Sequence, residues 1–554
     1  MNTYTPFKER LNELRSIVPL SPISLIILTV AAIFCAYNMT FWSIAVEIFE
    51  GHLASLAAFI AAVFFLLLAA FSLFGFPWSV KPFLAAIVVL SSVTSFYMDQ
   101  LGVIIDRDMI QNVMVTTITE SKHLITVGFV SHVFLFGVLP AILILLVKIR
   151  PQGLGRAVGI PVFTFTMSLI MAAGLLMSDF KTYASILRER KDLMSSFQPG
   201  APLVGAIRYA KMMSRTKNVI LTAIGEDAVK GAGYASQDQP VLTIVIAGET
   251  ARAQNFSLNG YDVDTNPALA KQSLVSFSNV QSCGTATAVS LPCMFSRYDR
   301  DGYSYEKSIS YENVLDVLSR AGMAVEWWDN NTGDKDIAKR ITSRSFTQTE
   351  NAEFCPTGEC MDGIFLEELK KYAEGITQDT VLVLHQIGSH GPTYYLRYPE
   401  EFERFTPACR TAEFKKCTPQ EITNAYDNTI AYTDQVLAET IEFLEGQAGL
   451  TTALLYVSDH GESLGEAGLY LHGSPYFMAP EFQTKVPMIL WMSDKFQTRF
   501  SHDQGCLADS RSRALSHDNL FHSLLGMLDI RTREYDPAMD FFAQCKTDQK
   551  VAER

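Results

Sequence analysis

Residues 241–252 read VLTIVIAGETAR. Val241–Ala247 is a short, unbroken run of apolar and β-branched residues, the length and composition of a strand buried on both faces. It stops at Gly248-Glu249-Thr250-Ala251-Arg252, where polar groups replace it at once. Thr380–Leu384 and Ala453–Val457 repeat the pattern, and Tyr311–Arg320, Asp362–Glu374 and Glu421–Glu445 read as helices between the runs. Buried strands alternating with helices predict an α/β domain on a largely parallel sheet, beginning at Pro240.

Open sheets of this kind place their sites at the carboxyl ends of the strands. Those ends supply Glu249, then Asp459-His460 within SDHGES, then His385 and His390 within HQIGSHG, and farther on His472 in LHGS. Each residue alone reads most simply as a helix cap or a satisfied histidine. Together they are harder to dismiss, because seven histidines follow residue 178 and four of them fall in these glycine-containing turns. Carboxylates and imidazoles gathered from several strand ends are the ligand types of zinc.

A nucleophile is available at CGTATAVS, residues 283–290, where a helix is expected to begin. Threonine at a helix start is ordinarily a cap. A hydroxyl there also lies in a field that favours phosphate, and coordination to a divalent ion would activate it. Thr287 and Thr285 both qualify.

Upstream of this domain the composition changes. The chain of 554 residues is 48% hydrophobic and 19% charged with net charge -13, which excludes a general attraction to nucleic acid. Charges stop at Arg15 and resume at Glu47. Ile23–Trp42 fills that gap, and Leu53–Phe76, Pro82–Met98, Leu124–Val147 and Ala157–Ser178 follow, predicting five membrane spans. With the N-terminus inside, the inner segments hold Lys8, Arg10, Arg15, Lys81, Lys148, Arg150 and Arg156, against Arg107 and Lys122 outside. That bias sets the orientation and exports everything beyond Ser178. The first apolar stretch is too long for a cleaved signal peptide and is expected to stay.

Cysteine agrees with this topology. Of nine, only Cys35 lies in a span, and the other eight follow residue 280. Their order suggests 283–293, 355–360, 409–417 and 506–545, among the 105 arrangements that eight cysteines allow. Spacing and flanks do not suit zinc fingers, so an oxidising exterior is expected. Between the spans and the sheet domain, residues 179–218 carry eight Lys or Arg against three Asp or Glu, fit to lie near phosphate headgroups.

These residues resemble the lipid A phosphoethanolamine transferases, the family that includes the mobile colistin-resistance enzymes, of the alkaline phosphatase/sulfatase superfamily. The likeness rests on GETAR at 248–252, SCGTATAVSLPCMFS at 282–296, SHGPTYY at 389–395, TNAYDNTIAYTD at 423–434 and YVSDHGESLGE at 456–466. It implies a five-helix transmembrane domain (1–178), a basic connecting segment (179–239) and a zinc-dependent catalytic domain (240–554) in the periplasm of a Gram-negative inner membrane. It implies Zn2+ held by Glu249, Thr287, Asp459 and His460, with Thr287 as the residue that accepts phosphoethanolamine. His390 and His472 match residues that contact phosphate or a second zinc, with a weaker match at His385. Asn331 and Lys335 match residues around the bound group, although cysteines that many relatives carry beside this lysine are here Asp334 and Ala338. In the outside loop, Asn112, Thr116 and Glu120 match substrate-binding positions and, spaced by four, are expected on one helical face. The implied reaction takes phosphoethanolamine from phosphatidylethanolamine to lipid A, by a monomer working among membrane lipids. A core sugar as acceptor, phosphoglycerol transfer to a glycan, a hydrolase using water and a non-catalytic headgroup sensor are the competing readings.

Overall fold

The structure is a computed structural model that describes residues 19–547 apart from 117, 236–238, 348, 350, 352 and 357, with the backbone alone at 118–120. Lys8, Arg10 and Arg15 lie outside the described residues. These residues form two compact units, one within Met1–Arg107 and Ile125–Ile207, the other within Asp108–Leu124 and Arg208–Arg554.

The first unit is helical. Leu53–Ser72, Val80–Leu101, Val127–Leu146 and Leu154–Met177 are each long and apolar enough to cross a bilayer. The first expected span is not one straight helix: Pro22–Ala36 and Met39–Ile48 meet at a 70° bend. Asn38 explains the break. Its buried amide donates to the carbonyls of Ile33 (3.1 Å) and Gln198 (3.2 Å) and accepts from the Gln198 backbone (2.8 Å). A polar side chain in an apolar bundle takes such partners wherever the backbone can supply them. At one edge of the unit, Leu20 bridges to Lys148 and Arg150, and the Lys81 ammonium donates to the Leu145 carbonyl. At the other, Asp99 accepts from Thr40, and Asp179 accepts from the Ser55 hydroxyl.

In the second unit an eight-stranded sheet is built from β1 (Val241–Gly248), β2 (Val275–Gln281), β3 (Ala324–Asp329), β4 (Thr342–Ser345), β5 (Thr380–His385), β6 (Thr451–Ser458), β7 (Lys485–Met492) and β8 (Leu515–Ser516). Their order is β8-β2-β7-β6-β1-β5-β3-β4. Only β7 runs antiparallel to its neighbours. The expected strands are therefore present, and β1 and β6 are buried along their whole length. The helix expected at Glu421–Glu445 runs Pro419–Glu445. Thr418 and Glu421 form a capping box and proline occupies its first turn, so the start is specified locally.

Register decides what the site contains. Gly248 pairs with Ser458, while Ala247, His385 and Asp329 lie in one row across β1, β5 and β3. The carboxyl ends of four adjacent parallel strands thus form a single edge, and the polar residues following each strand converge on it. All four expected disulfides are present, 283–293, 355–360, 409–417 and 506–545.

Candidate active site

Glu249 follows β1, and Asp459 and His460 follow β6, all three with no solvent exposure. One ligand atom from each lies within 4.8 Å of the others. Asp459 Oδ1 accepts the backbone N–H groups of Thr250 (3.2 Å) and His460 (2.7 Å), whereas its Oδ2 is buried without a hydrogen-bond partner among the described residues. His460 Nδ1 lies 2.9 Å from the Gly461 carbonyl, which can only accept, so the proton sits on Nδ1. The lone pair of Nε2 then faces Thr287 Oγ1 (3.3 Å), Asp459 Oδ2 (3.4 Å) and Glu249 Oε1 (3.5 Å). Holding one imidazole nitrogen on a carbonyl so that the other presents a lone pair is how proteins prepare a metal ligand. With the orphaned carboxylate oxygen, this donor set fits a divalent cation.

Burial pushes Asp459 up to about 6, against the opposing charge of His385 and its two backbone donors. Burial, and then the neighbouring His472, drive His460 well below the usual histidine range.

Thr287 opens the helix Thr287–Met294, clasped by the 283–293 disulfide. Its hydroxyl donates to Glu249, 3.1 Å from Oε2 and 3.3 Å from Oε1. The Thr285 hydroxyl donates instead to the Ser474 carbonyl at 2.6 Å. Of the two threonines, the fold aims Thr287 into the cluster.

The other histidines surround it. The His472 ring centroid is 4.5 Å from His460 and 5.5 Å from His390, and Glu462 holds His472 Nδ1 at 2.9 Å. His385 sits behind Glu249, with Nε2 4.0 Å from Oε2 and Nδ1 2.8 Å from Asp329. Burial would raise Asp329, but the charge and hydrogen bond of His385 outweigh it and hold its carboxyl down. Asn331 joins the group by donating to Glu249 Oε2 at 2.7 Å and to the Gln386 carbonyl at 2.9 Å.

Lys335 is placed differently. Its ammonium donates to Thr332, to both carbonyl and hydroxyl at 2.6 Å, and to the Val115 carbonyl at 3.4 Å. The outside loop also departs from expectation. Asn112, Thr116 and Glu120 do not share one helix, because Arg107–Val115 ends before Ile118–Leu124 begins. The β-branched run from Val115 to Thr119 disfavours continuous helix. Thr116 donates to the Asn112 carbonyl at 2.7 Å, and the Glu120 side chain lies outside the described residues.

Asp329 and Glu462 went unread in the sequence because their role is to hold histidines, which no short motif announces. GESLG at 461–465 has the spacing of a serine-nucleophile elbow. Ser463 instead lies in a short ribbon strand, where its hydroxyl accepts from Gln483 at 2.9 Å.

A family profile described as "Phosphoethanolamine transferase EptA/EptB" matches residues 63–213, and one described as "Sulfatase" matches residues 242–530. Phosphoethanolamine transferase EptA of Escherichia coli (strain K12) is 41% identical over 481 residues, 86% of this chain and 87% of the relative. Phosphatidylethanolamine transferase Mcr-1 of Escherichia coli is 37% identical over 491 residues, 85% of this chain and 88% of the relative. The solved integral membrane protein lipooligosaccharide phosphoethanolamine transferase A of Neisseria meningitidis matches with a TM-score of 0.91 at 35% identity, covering 94% of this chain and 98% of that one. With the sulfatase-type sheet carrying the site and an apolar helical unit alongside it in sequence, this chain belongs to the phosphoethanolamine transferase family.

Proposed function

We propose that the protein transfers phosphoethanolamine from phosphatidylethanolamine to a lipid A phosphate through a covalent phosphoethanolamine ester on Thr287, releasing diacylglycerol. The observation that carries this reading is the Thr287 hydroxyl donating to Glu249 inside a buried cluster of cation-ligand type. The protein is a multi-pass inner-membrane protein with its catalytic domain in the periplasm. In functional terms, residues 1–178 anchor it, 179–239 connect and 240–554 catalyse, as a monomer among membrane lipids.

Zn2+ held by Glu249, Asp459, His460 and Thr287 would lower the pKa of the Thr287 hydroxyl and neutralise phosphoryl charge. The residues of the chain do the rest. Thr287 Oγ1 forms a bond to phosphorus as the phosphorus–oxygen bond to diacylglycerol breaks, and the hydroxyl proton leaves toward Glu249. Either His390 or His472, whose ring centroids lie 5.5 Å apart, supplies the one proton that the departing oxygen takes up. Asn331 and Lys335, with His385 behind Glu249, hold the transferring group, and Asn112, Thr116 and Glu120 seat the lipid. A lipid A phosphate oxygen then attacks phosphorus, and Thr287 leaves and recovers its proton. The added amine offsets anionic charge on lipid A and weakens its attraction for polymyxin and colistin.

Mass spectrometry of lipid A from cells expressing wild type and Thr287→Ala tests this. A phosphoethanolamine increment with wild type alone is the expected result. No increment from well-expressed wild type would move the acceptor to a core sugar. An increment that persists in Thr287→Ala would remove this nucleophile from the reaction.

A further inference from the structure

The segment between the third and fourth spans is loop by sequence, yet Asp108–Leu124 packs as part of the catalytic unit. It touches that unit beside three residues of the site. Gln111 is buried and donates to the carbonyl of Ala288, the residue after Thr287, at 3.4 Å. The Met109 methyl lies against Gly473, the residue after His472, so closely that a Cβ on Gly473 would stand 2.4 Å from it. The third contact is a chain of charges.

His123 Nε2 lies 2.9 Å from Glu359 Oε2, and the same oxygen accepts from Arg397 at 2.8 Å. Arg397 in turn donates through Nε to the backbone carbonyl of His390 at 2.9 Å. The Arg397 side chain is 1% exposed and that of Glu359 11%. A guanidinium buried this far needs a counter-charge, and Glu359 supplies it. Burial would raise Glu359, but the hydrogen bond from His123 and the charge of Arg397 outweigh it and hold its carboxyl at about 2. Glu359 is therefore ionised and only accepts, so His123 donates. The Cys355–Cys360 disulfide limits how far Glu359 can move.

We propose that His123, Glu359 and Arg397 are positioning residues for the transfer reaction, a charge-paired clasp that fastens the 108–124 segment to the backbone of His390. In it, His123 holds the segment on which the donor lipid is seated, and Arg397, balanced by Glu359, holds the backbone of His390. This rests on the proposed function, because the donor and the task of His390 come from that reading.

The test uses the full-length protein in detergent with fluorescently labelled phosphatidylethanolamine as the probe, following its conversion to labelled diacylglycerol. His123→Ala is expected to raise KM about tenfold with kcat within about twofold, the scale of one charge-assisted hydrogen bond. His123→Lys, which restores an N–H donor toward Glu359, is expected to recover most of that loss. Glu359→Gln is expected to lower kcat as well, because Arg397 loses its counter-charge, and the double variant is expected to match Glu359→Gln alone. Hydrogen exchange across 108–124 is expected to speed up in His123→Ala while the rest of the catalytic unit keeps its wild-type rates. Wild-type KM and exchange in His123→Ala would overturn the proposal, as would a lysine variant no better than alanine or losses that multiply in the double variant. Should Glu359→Gln fail to fold, the partly exposed His123 variants still decide. If the wild type leaves the labelled lipid untouched, the functional reading fails on its own, and the exchange comparison still tests the clasp.

Discussion

His460 presents its Nε2 lone pair only because its other nitrogen is held by the carbonyl of the next residue, and that residue has no room for a side chain. A Cβ on Gly461 would stand 2.1 Å from the Phe482 carbonyl. Gly461→Ala must therefore shift the turn that carries His460. It is expected to cost about 1–3 kcal/mol in overpacking and to lower metal content and transfer activity together. Elemental analysis and an unfolding midpoint check this, and full metal content with full activity would refute it. A histidine outside the site shows a different dependence. His502 is buried with Nε2 2.9 Å from the Met527 carbonyl, and burial lowers it to about 4. Because the folded value lies below the unfolded one of roughly 6.5, the stability it contributes is complete above that pH. It is lost as pH falls toward 4, by on the order of 3 kcal/mol. In His502→Gln, which keeps a neutral donor for Met527, the unfolding midpoint is expected to fall less steeply between those pH values. A slope unchanged from wild type would remove His502 from the acid sensitivity.

Two disulfides of the catalytic unit separate stability from function at the scale of elements. Cys283–Cys293 closes 10 residues around the start of the Thr287 helix, whereas Cys506–Cys545 closes 39 residues later in the chain than Glu249, Thr287, Asp459 and His460. By loop-closure entropy the longer loop contributes about 4 kcal/mol and the shorter about 3 kcal/mol. Replacing both cysteines of a pair by serine is therefore expected to lower the unfolding midpoint more for 506–545. Activity measured well below both midpoints is expected to fall more for 283–293, because that loop carries Thr287 itself, the proposed nucleophile, whereas 506–545 reaches the same helix through His517. The same order in both measurements would mean that the shorter bridge merely stabilises. Elements specified by nearby residues were the legible ones: β1, β5 and β6 by unbroken apolar runs, and Pro419–Glu445 by its capping pair. Of the expected site residues, Glu249, Asp459 and His460 follow directly on such elements, whereas Thr287 opens a separate short helix, and the fold brings all four together. What required the fold was anything set by distant partners. The bend at Asn38 depends on Gln198, the break at Thr116 competes with a plausible helical spacing, and Asp329 matters only because sheet register brings it beside His385.

At the scale of the whole molecule, the number of crossings decides from which face of the membrane the first helix starts. Among the described residues four helices are long and apolar enough to cross, and the bent pair before them is either a fifth crossing or a re-entrant loop. Hydrogen bonds within the membrane unit resolve this. Leu20 is bridged to Lys148 and Arg150, while Ser55 is bonded to Asp179. Between Arg150 and Asp179 runs the helix Leu154–Met177, 24 residues long, or about 36 Å at 1.5 Å per residue, enough to traverse the bilayer. Leu20 and Ser55 therefore lie on opposite faces, and the bent pair between them crosses despite its 70° kink. Five crossings put Lys81, Lys148 and Arg150 on the face of Leu20, the cytoplasmic face by the positive-inside rule. A reporter enzyme active only outside the cytoplasm, fused after successive loop glycines, is thus expected to be active after Gly51 and Gly102 and silent after Gly75 and Gly153. A re-entrant first pair with the remaining crossings unchanged would instead return the N-terminus to the face of Gly51. A reporter attached ahead of residue 19 separates the two cases, since five crossings keep it silent while Gly51 is active. Activity at both positions would make the pair re-entrant and leave four crossings, with the disulfide-bonded domain still exported.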